Sequence, residues 1–139
     1  MGEKMITANI YFEPCNLRQW NIFEEISNIG HIEPFLAVKS MQIGDYVLHY
    51  VGKQDKRYKP GVYAISKIIK SPYICRNRPN DYCNNKLSID VKVLAITYNE
   101  PYLSEIDMKR INKQFRSVHK LNITDNNTLE IIMSSINNS

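Results

Sequence analysis

Histidine and cysteine are the residue types in this chain best suited to catalysis or metal binding, and each occurs three times. His31, His49 and His119 are far apart in sequence, and none belongs to an HExxH motif. The chain also lacks the GxSxG nucleophile turn and the phosphate-binding patterns GxGxxG and GxxxxGK[ST]. The sequence therefore gives no positive sign of an enzyme, and each histidine is expected to have a surface or structural role.

The three cysteines, Cys15, Cys75 and Cys83, are odd in number and show no CxxC spacing. That pattern disfavours a disulfide framework or a structural zinc site, and it favours a reducing, cytoplasmic setting. Cys75 and Cys83 flank one loop and could pair, although two free thiols are the favoured interpretation. No metal ion or other cofactor is predicted. No apolar run is long enough to cross a membrane, so no membrane partner is expected.

Basic residues offer a better-supported chemistry, the binding of phosphates. The net charge is +4, from 18 Lys and Arg against 14 Asp and Glu, which permits an anionic partner without requiring one. Many of the cations fall outside the predicted main strands and would form a basic rim: Lys53, Lys56, Arg57, Arg76, Arg78, Lys109, Arg110, Lys113, Arg116 and Lys120, with His119. Such a rim would hold a nucleic-acid backbone. A solvated set of charges without a partner is an equally weighted alternative.

Aromatic residues are a second feature that suits nucleic acid. The chain has nine Tyr, four Phe and one Trp. The candidates for base contacts are Trp20, Phe35, Tyr46, Tyr50, Tyr63 and Tyr73. A flipped base is gripped by stacking on aromatic faces and by hydrogen bonds to its edge. Each ring taken singly is still more often a core or sheet residue.

The pattern of apolar residues predicts one α+β domain over the 139 residues. Strands are predicted at 5–12 (ended by Pro14), 46–51, 62–69 and 87–97, with a short one within 115–121. Helices are predicted at 17–28 after an Asn16 cap, at 104–112 after a Ser104 cap, and from a Thr124 cap onward. Residues 31–35 and 71–86 are expected to be loops. Short connections favour a mainly antiparallel sheet of about five to six strands, curled into a small barrel with flanking helices.

The stretch 41–52 holds the centre of this arrangement. Gly44 and Asp45 predict a tight turn that leads into the strand 46–51, which forms a hairpin with 61–69 whose tip is basic. Tyr46 and Tyr50 point to the same face of the strand, because side chains alternate along it. Two tyrosines on one face can either build a core or line an aromatic pocket.

Four segments of the chain carry a pattern that is more specific together than any is alone. They are 41–50 (MQIGDYVLHY), 61–73 (GVYAIS and then SPY), 89–103 (IDVKV and then PxL) and 114–118 (QFRSV). In this order and spacing they resemble the EVE domain, a PUA-like relative of the YTH fold. The resemblance spans about residues 5–136, so 1–139 is expected to be a single EVE/PUA-like domain. Residues 28–35 depart from the family, because its Trp and Arg-Asn are missing there.

The resemblance implies a PUA-like barrel that binds nucleic acid without catalysis and reads a modified base flipped into an aromatic pocket. The base it favours is 5-methyl- or 5-hydroxymethylcytosine in DNA. It implies a base pocket formed by Tyr50 as a wall, backbone groups of Val51 and Gly52, Ser117 near the mouth, and Trp20 and Phe35 completing the cage. Tyr46 is expected in the core. Contacts with the nucleic-acid backbone are assigned to Arg116 as the main phosphate clamp, and to Gln114, Lys113, Arg76, Arg78 and Lys53.

Two other functions stay open at this stage. One is a PUA-like RNA-binding accessory protein for tRNA, rRNA or methyladenine-containing RNA. The other is a small-molecule-binding or enzymatic domain that uses the same pocket. The departure at residues 28–35 also suggests a divergent branch, such as the modified-base readers linked to restriction endonucleases, so a nuclease partner or fused nuclease is an expectation.

Overall fold

One curled sheet dominates the computed structural model, which describes residues 8–18, 21–26, 28–76, 83 and 85–138. Its strands are β1 (Ile10–Cys15), β2 (Ile32–Leu36), β3 (Tyr46–Val51), β4 (Gly61–Ile74), β5 (Leu87–Ile96), β6 (Leu103–Ser104) and β7 (His119–Leu121). The helices are α1 (Ile22–Glu25), α2 (Glu105–Ile111) and α3 (Asn126–Asn137). The strand order is β2-β5-β4-β3-β1-β7, with β6 paired to β4 beside this path.

The pairing of β1 with β3 is parallel, whereas the other paired strands are antiparallel. β1 is the first strand in sequence, yet it lies between β3 and the last strand, β7. Cys15 at the end of β1 is in register with Val51 at the end of β3, so the segments that follow these two strands leave the sheet at the same end. The sheet curls into a half-barrel with three helices, which confirms the predicted α+β class and mainly antiparallel curled sheet.

Two apolar clusters cover the two faces of this sheet. The first cluster takes alternate residues of β1 and β3, such as Tyr11 and Val47, and adds Phe35 of β2 and Ile89 of β5. The second cluster takes the intervening residues, such as Phe12 and Tyr50, and packs them against the helices α2 and α3 through Met108 and Ile132. Because both faces of β3 are buried, its sequence does not alternate between apolar and polar residues as a half-buried strand would.

Two glycines of the central hairpin have structural reasons for being glycine. Gly44 has a φ of +98°, which side chains with a Cβ rarely adopt, and the following Asp45 carboxylate accepts hydrogen bonds from the amides of Asn9 and Gln42 at 3.1 and 2.9 Å. At Gly61, a Cβ would lie 2.5 Å from the carbonyl oxygen of Leu103. The close pairing of β6 with the start of β4 therefore needs glycine at position 61.

Several predicted elements are confirmed. β3 has the predicted bounds, it pairs with β4 as a hairpin, and β5 ends one residue before the prediction. Ser104 caps α2, because its Oγ accepts a hydrogen bond from the amide of Asp107 at 3.2 Å while the Asp107 carboxylate accepts one from the amide of Ser104 at 3.0 Å.

Other boundaries are wrong, mostly because the sheet tolerates proline where one strand edge is free. β1 continues through Pro14, beyond the last residue of β1 that pairs with β7. Residues 32–36 form β2 and not a loop, and Pro34 is accommodated since β2 is an edge strand. β4 also runs on to Ile74, into the region predicted as loop.

The first and last helices also differ from the prediction. α1 spans only Ile22–Glu25 and is capped by Asn21, while Asn16 instead accepts a hydrogen bond from the amide of Arg18 at 3.0 Å. α3 is capped by Asp125, one residue after the predicted Thr124. Both errors come from having several Asn, Asp and Thr residues near each start, any of which can cap a helix.

Candidate nucleic-acid interface

A cleft of about 470 Å³, which we call the end cleft, lies where β1 and β3 end. It is lined by Leu17 and Arg18 after β1, Asn21 and Glu24 at α1, and Val51, Gly52 and residues 54–57 after β3. The parallel pairing of β1 with β3 brings these segments together, because both strands end at the same end of the sheet. Its volume falls in the range of about 300–1,000 Å³ that is usual for ligand pockets.

A fixed planar cation lies on the rim of the end cleft. The Arg57 guanidinium donates from Nε to Oδ1 of Asp55 at 3.0 Å and from Nη2 to Oδ2 at 2.6 Å. These hydrogen bonds lower the pKa of Asp55 to about 2, so the carboxylate is charged at neutral pH. The guanidinium carbon also lies 5.6 Å from the centre of the Tyr58 ring, within reach of a cation–π contact.

Tyr58 continues this arrangement into a stack with Phe23 of α1. The two ring centres are 4.2 Å apart and the ring planes differ by 17°. Phe23 in turn meets the edge of Tyr63 at 5.2 Å, and the Tyr63 hydroxyl donates to the carbonyl of Lys59 at 2.7 Å. We call Arg57, Tyr58 and Phe23 the rim stack, because it joins α1 to the β3–β4 loop beside the cleft.

The rim stack was not predicted from the sequence. The predictions were a helix over 17–28 and a basic hairpin tip between 46–51 and 61–69, with no contact between them. The only local signal is an arginine followed by a tyrosine in a loop. Nothing in the sequence says that α1 packs against that loop, since the contact depends on the parallel register of β1 and β3.

Val51 and Gly52 are the two predicted pocket residues that line the end cleft. Tyr50 does not line it. Its ring faces the opposite side of β3, is 4% exposed, and packs against Phe12 and Phe115 at ring-centre distances of 5.3 and 5.0 Å. Burial, with a smaller effect from the charge of Glu105, raises the pKa of Tyr50 to about 12. In this structure Tyr50 is a core residue of the second cluster.

Phe35 and Ser117, which were also predicted for the pocket, do not line the end cleft. Phe35 is fully buried in the first cluster, with its ring centre 4.6 Å from that of His49. Ser117 is exposed in the loop before β7. Trp20 lies outside the described residues, although its near neighbours Arg18 and Asn21 both line the end cleft.

The loop between α2 and β7 is organised by Gln114. Its Oε1 accepts hydrogen bonds from the amides of Arg116 and Ser117 at 2.5 and 2.8 Å, and its Nε2 lies 3.0 Å from the Ser117 hydroxyl and 3.2 Å from Nδ1 of His119. Gln114 was predicted to contact the nucleic-acid backbone. Its polar atoms are instead engaged within the loop, so its role here is to position the residues that follow it.

The exposed cations Arg116 and Lys113 project from this loop. The loop lies at the same end of the sheet as the end cleft, because Phe115 contacts Tyr50, which directly precedes Val51. Lys113 also lines a shallow depression of about 320 Å³ with Lys109 and Arg110. These cations form a basic surface on α2 and the loop before β7, and they do not line the end cleft.

The remaining predicted backbone contacts differ in their surroundings. Lys53 is 72% exposed and pairs with Glu105 at 3.2 Å, so part of its charge is already compensated. Arg76 is exposed just after β4. Arg78 lies outside the described residues.

Comparison with solved structures identifies the fold. The chain is similar to a hypothetical protein from Leishmania major (TM-score 0.62, 13% identity, 91% of this chain and 95% of that one) and to a Pseudomonas syringae protein (0.60, 17%, 91% and 99%). It is also similar to human THYN1, solved in complex with 5-methylcytosine-containing DNA (0.56, 12%, 91% and 97%). The fold is PUA-like. No family model and no curated protein matches the chain.

A buried polar chain runs through this PUA-like sheet. Nε2 of His49 lies 2.8 Å from Oγ of Ser66, and Nδ1 lies 3.9 Å from Oε1 of Glu13. The order Ser, His, acid is also that of a hydrolytic triad. All three residues are at most 1% exposed, so a substrate cannot reach them. The arrangement is part of the interior of the sheet.

Burial lowers the pKa of His49 to about 3, which predicts acid sensitivity. An unfolded histidine has a pKa of about 6.5, so between these values the unfolded chain binds a proton that the folded chain excludes. The stabilising contribution is complete above the unfolded pKa and is lost as the pH falls towards the folded value, at about 1.4 kcal/mol per pH unit. Urea unfolding at a series of pH values should show this slope, and His49→Gln should reduce it. An unchanged slope in His49→Gln would contradict the prediction.

Neither a metal-binding cluster nor a membrane-spanning helix is found among the described residues. Among these residues no group of three or more His, Cys, Asp or Glu side chains is placed to hold a metal ion. No described helix is long and apolar enough to cross a membrane. A larger groove of about 810 Å³ lies between α2 and α3, but it contains none of the residues that the sequence singled out for base binding.

Proposed function

We propose that this protein is a non-catalytic reader that binds nucleic acid and holds a modified base in the end cleft. The base proposed is 5-methyl- or 5-hydroxymethylcytosine in DNA. The observation that carries the proposal is the rim stack beside a cleft of ligand size. The loop between α2 and β7, which we call the basic loop because it carries Lys113 and Arg116, lies at the same end of the sheet. A reader without chemistry of its own acts through a partner, and a nuclease is the partner class that the sequence resemblance implies.

The end cleft supplies the three kinds of contact that a flipped cytosine needs. The planar Arg57 guanidinium offers a stacking surface at the mouth. Acceptor oxygens for the exocyclic amine of cytosine are present on Glu24 and Gln54. The side chains of Leu17 and Val51 give apolar surface that a 5-methyl group can contact.

The basic loop supplies the part of binding that does not depend on sequence. Arg116 and Lys113 are exposed in the loop between α2 and β7, and Gln114 fixes the backbone from which Arg116 projects. A guanidinium suits phosphate oxygens because it can donate two parallel hydrogen bonds. The backbone of a duplex would thus be held on the β7 side while one nucleotide turns into the cleft.

The complex of human THYN1 with DNA that contains 5-methylcytosine supports the choice of ligand. That protein shares the fold with this chain at 12% identity. The likeness makes methylcytosine the first modified base to test, and the contacts described above are this chain's own reason for testing it.

The proposal is tested by titrating the protein with matched duplexes that carry cytosine, 5-methylcytosine or 5-hydroxymethylcytosine at one position, followed by fluorescence anisotropy. Tighter binding to a modified duplex is expected. Equal affinities for all three would reduce the protein to a non-specific electrostatic binder. RNA of the same sequence is added as a competitor, and displacement of the modified DNA by RNA at lower concentration would favour an RNA-binding accessory role.

Arg116→Ala is expected to weaken binding to every duplex by a similar factor. The arginine would contact a phosphate and not a base, so its removal should lower the slope of log affinity against log salt by about one. Affinities measured at several salt concentrations give this slope. A loss confined to the modified duplex would instead place Arg116 in the base pocket.

A further inference from the structure

We propose that Cys75 and Cys83 form a site of reversible oxidation, at which a disulfide closes the connection between β4 and β5. This inference concerns two buried cysteines that are distant in sequence from the end cleft, and it does not depend on the nucleic-acid proposal. It rests on the distance between the two sulfur atoms, on the hydrogen bonds that hold the two backbones in place, and on the contrast with the third cysteine.

The two sulfur atoms are in contact, and no disulfide joins them. Sγ of Cys83 lies 3.7 Å from Sγ of Cys75, and the two side chains are 0% and 3% exposed. A disulfide has an S–S distance of about 2.05 Å. Bond formation therefore needs the sulfurs to approach by less than 2 Å, about the reach of a rotation of the side chains with a small backbone adjustment.

The backbones on both sides are fixed close to each other by hydrogen bonds. The amide of Cys75 donates to the carbonyl of Lys86 at 3.1 Å, and the carbonyl of Cys75 accepts from the amide of Asn85 at 2.7 Å. The carbonyl of Cys83 accepts from the amide of Lys86 at 3.1 Å. Because these bonds continue the β4–β5 ladder, they hold the thiols as neighbours without help from a third element.

The reaction requires an oxidant, for which a small disulfide such as oxidised glutathione is proposed. Because the two side chains are buried, the oxidant reaches the thiols during transient local openings of the folded chain. One cysteine thiolate attacks a sulfur of that disulfide, forms a mixed disulfide and releases one glutathione thiolate. The second cysteine thiolate then displaces the other glutathione and closes the protein disulfide. In total the protein loses two electrons and two protons, and two molecules of reduced glutathione form.

Cys15 provides an internal contrast. It is buried in the first cluster, where burial raises the pKa of its thiol well above the ordinary value, helped by the charge of Glu13. No second cysteine belongs to that cluster among the described residues. A resolving thiol is therefore missing beside Cys15, so this cysteine is not expected to close a disulfide.

The test incubates the whole chain with oxidised glutathione or with a reductant, and then alkylates it in denaturant for intact-mass and peptide analysis. The oxidised sample is expected to lose two hydrogen atoms and to keep one alkylatable thiol, at Cys15. Its melting temperature should rise by about 5 °C or more, because the short closed loop restricts the unfolded chain.

Three variants make the result decisive. Cys75→Ser and Cys83→Ser should each abolish both the mass change and the rise in melting temperature, whereas Cys15→Ser should leave both intact. Serine at either buried site can cost stability, so the comparison is made within each variant between oxidised and reduced samples. A stable glutathione adduct, a cross-linked dimer, a bond to Cys15, or no oxidation at all would overturn the proposal.

Discussion

Arg57→Ala is expected to reduce the preference for 5-methylcytosine DNA over plain DNA by about 5- to 150-fold. This range corresponds to the ~1–3 kcal/mol that stacking of one base contributes. The guanidinium is the planar group at the mouth of the end cleft, and Asp55 and Tyr58 hold it in one orientation. Anisotropy titrations with matched duplexes measure the two affinities from which the preference follows.

Lys59→Ala is the matched control for Arg57→Ala. Lys59 carries the same charge in the same β3–β4 loop, is 74% exposed, pairs with the equally exposed Glu100 at 3.3 Å, and does not line the cleft. Removal of the Lys59 charge should weaken binding to the plain and the modified duplex equally, and so leave the preference between them unchanged. Arg57→Lys separates the two roles of the arginine, since it keeps the charge and loses the planar fork; an intermediate preference is expected. Equal preferences in Arg57→Ala and Lys59→Ala would reject the rim stack as a reading element.

Tyr50→Ala is expected to lower the free energy of unfolding by about 3–5 kcal/mol, the usual cost of truncating a buried aromatic side chain. The ring is enclosed by Phe12 and Phe115 in the second cluster, and these rings cannot close the cavity that alanine would leave. Guanidinium or urea unfolding measures the change. A loss of less than 1 kcal/mol would show that the ring does not carry the packing described.

Tyr50→Phe distinguishes the core role from the pocket role that the sequence resemblance implies. It keeps the ring and removes only the hydroxyl, so stability should stay close to that of the original chain. Discrimination between modified and plain DNA should also be unchanged. A folded Tyr50→Phe protein that has lost discrimination would return Tyr50 to the base pocket through its hydroxyl group.

The motifs that carried the resemblance are explained mainly by folding. Gly44 is needed for a positive φ and Gly61 for the close crossing of β6. The Tyr73 hydroxyl donates to Oδ1 of Asp90 at 2.5 Å, so two motif residues from different strands meet. Gln114 organises the loop before β7. Such residues are constrained by local geometry, and for this reason the fold could be predicted from the sequence.

The candidate site could be predicted only in part. The end of β3 at Val51 was predicted correctly, because a hairpin with clear boundaries fixes where that strand stops. The assignment of Val51 and Gly52 to a base pocket stays a prediction. The rim stack could not be predicted, since Phe23 and Tyr58 meet only because β1 pairs in parallel with β3. The paired residues of these two strands are about 35 positions apart in the sequence. Local spacing carries no information about such a pairing.

The position of Tyr50 was missed for a related reason. Alternation along β3 places Tyr46 and Tyr50 on one face, and both pack against the second cluster. The sequence could not tell which face of the sheet would be covered by α2 and α3, so a pocket wall and a core residue had the same pattern.

The insertion of β1 between β3 and β7 has a consequence for how the chain acquires its structure. The β3–β4–β5 meander needs only neighbouring segments, whereas β1 pairs with β7 through residues about 110 positions apart. Closing so long a loop is entropically unfavourable and slows folding. During synthesis the meander would therefore form first, and one edge of β1 would stay open until the ribosome has released residues 119–121.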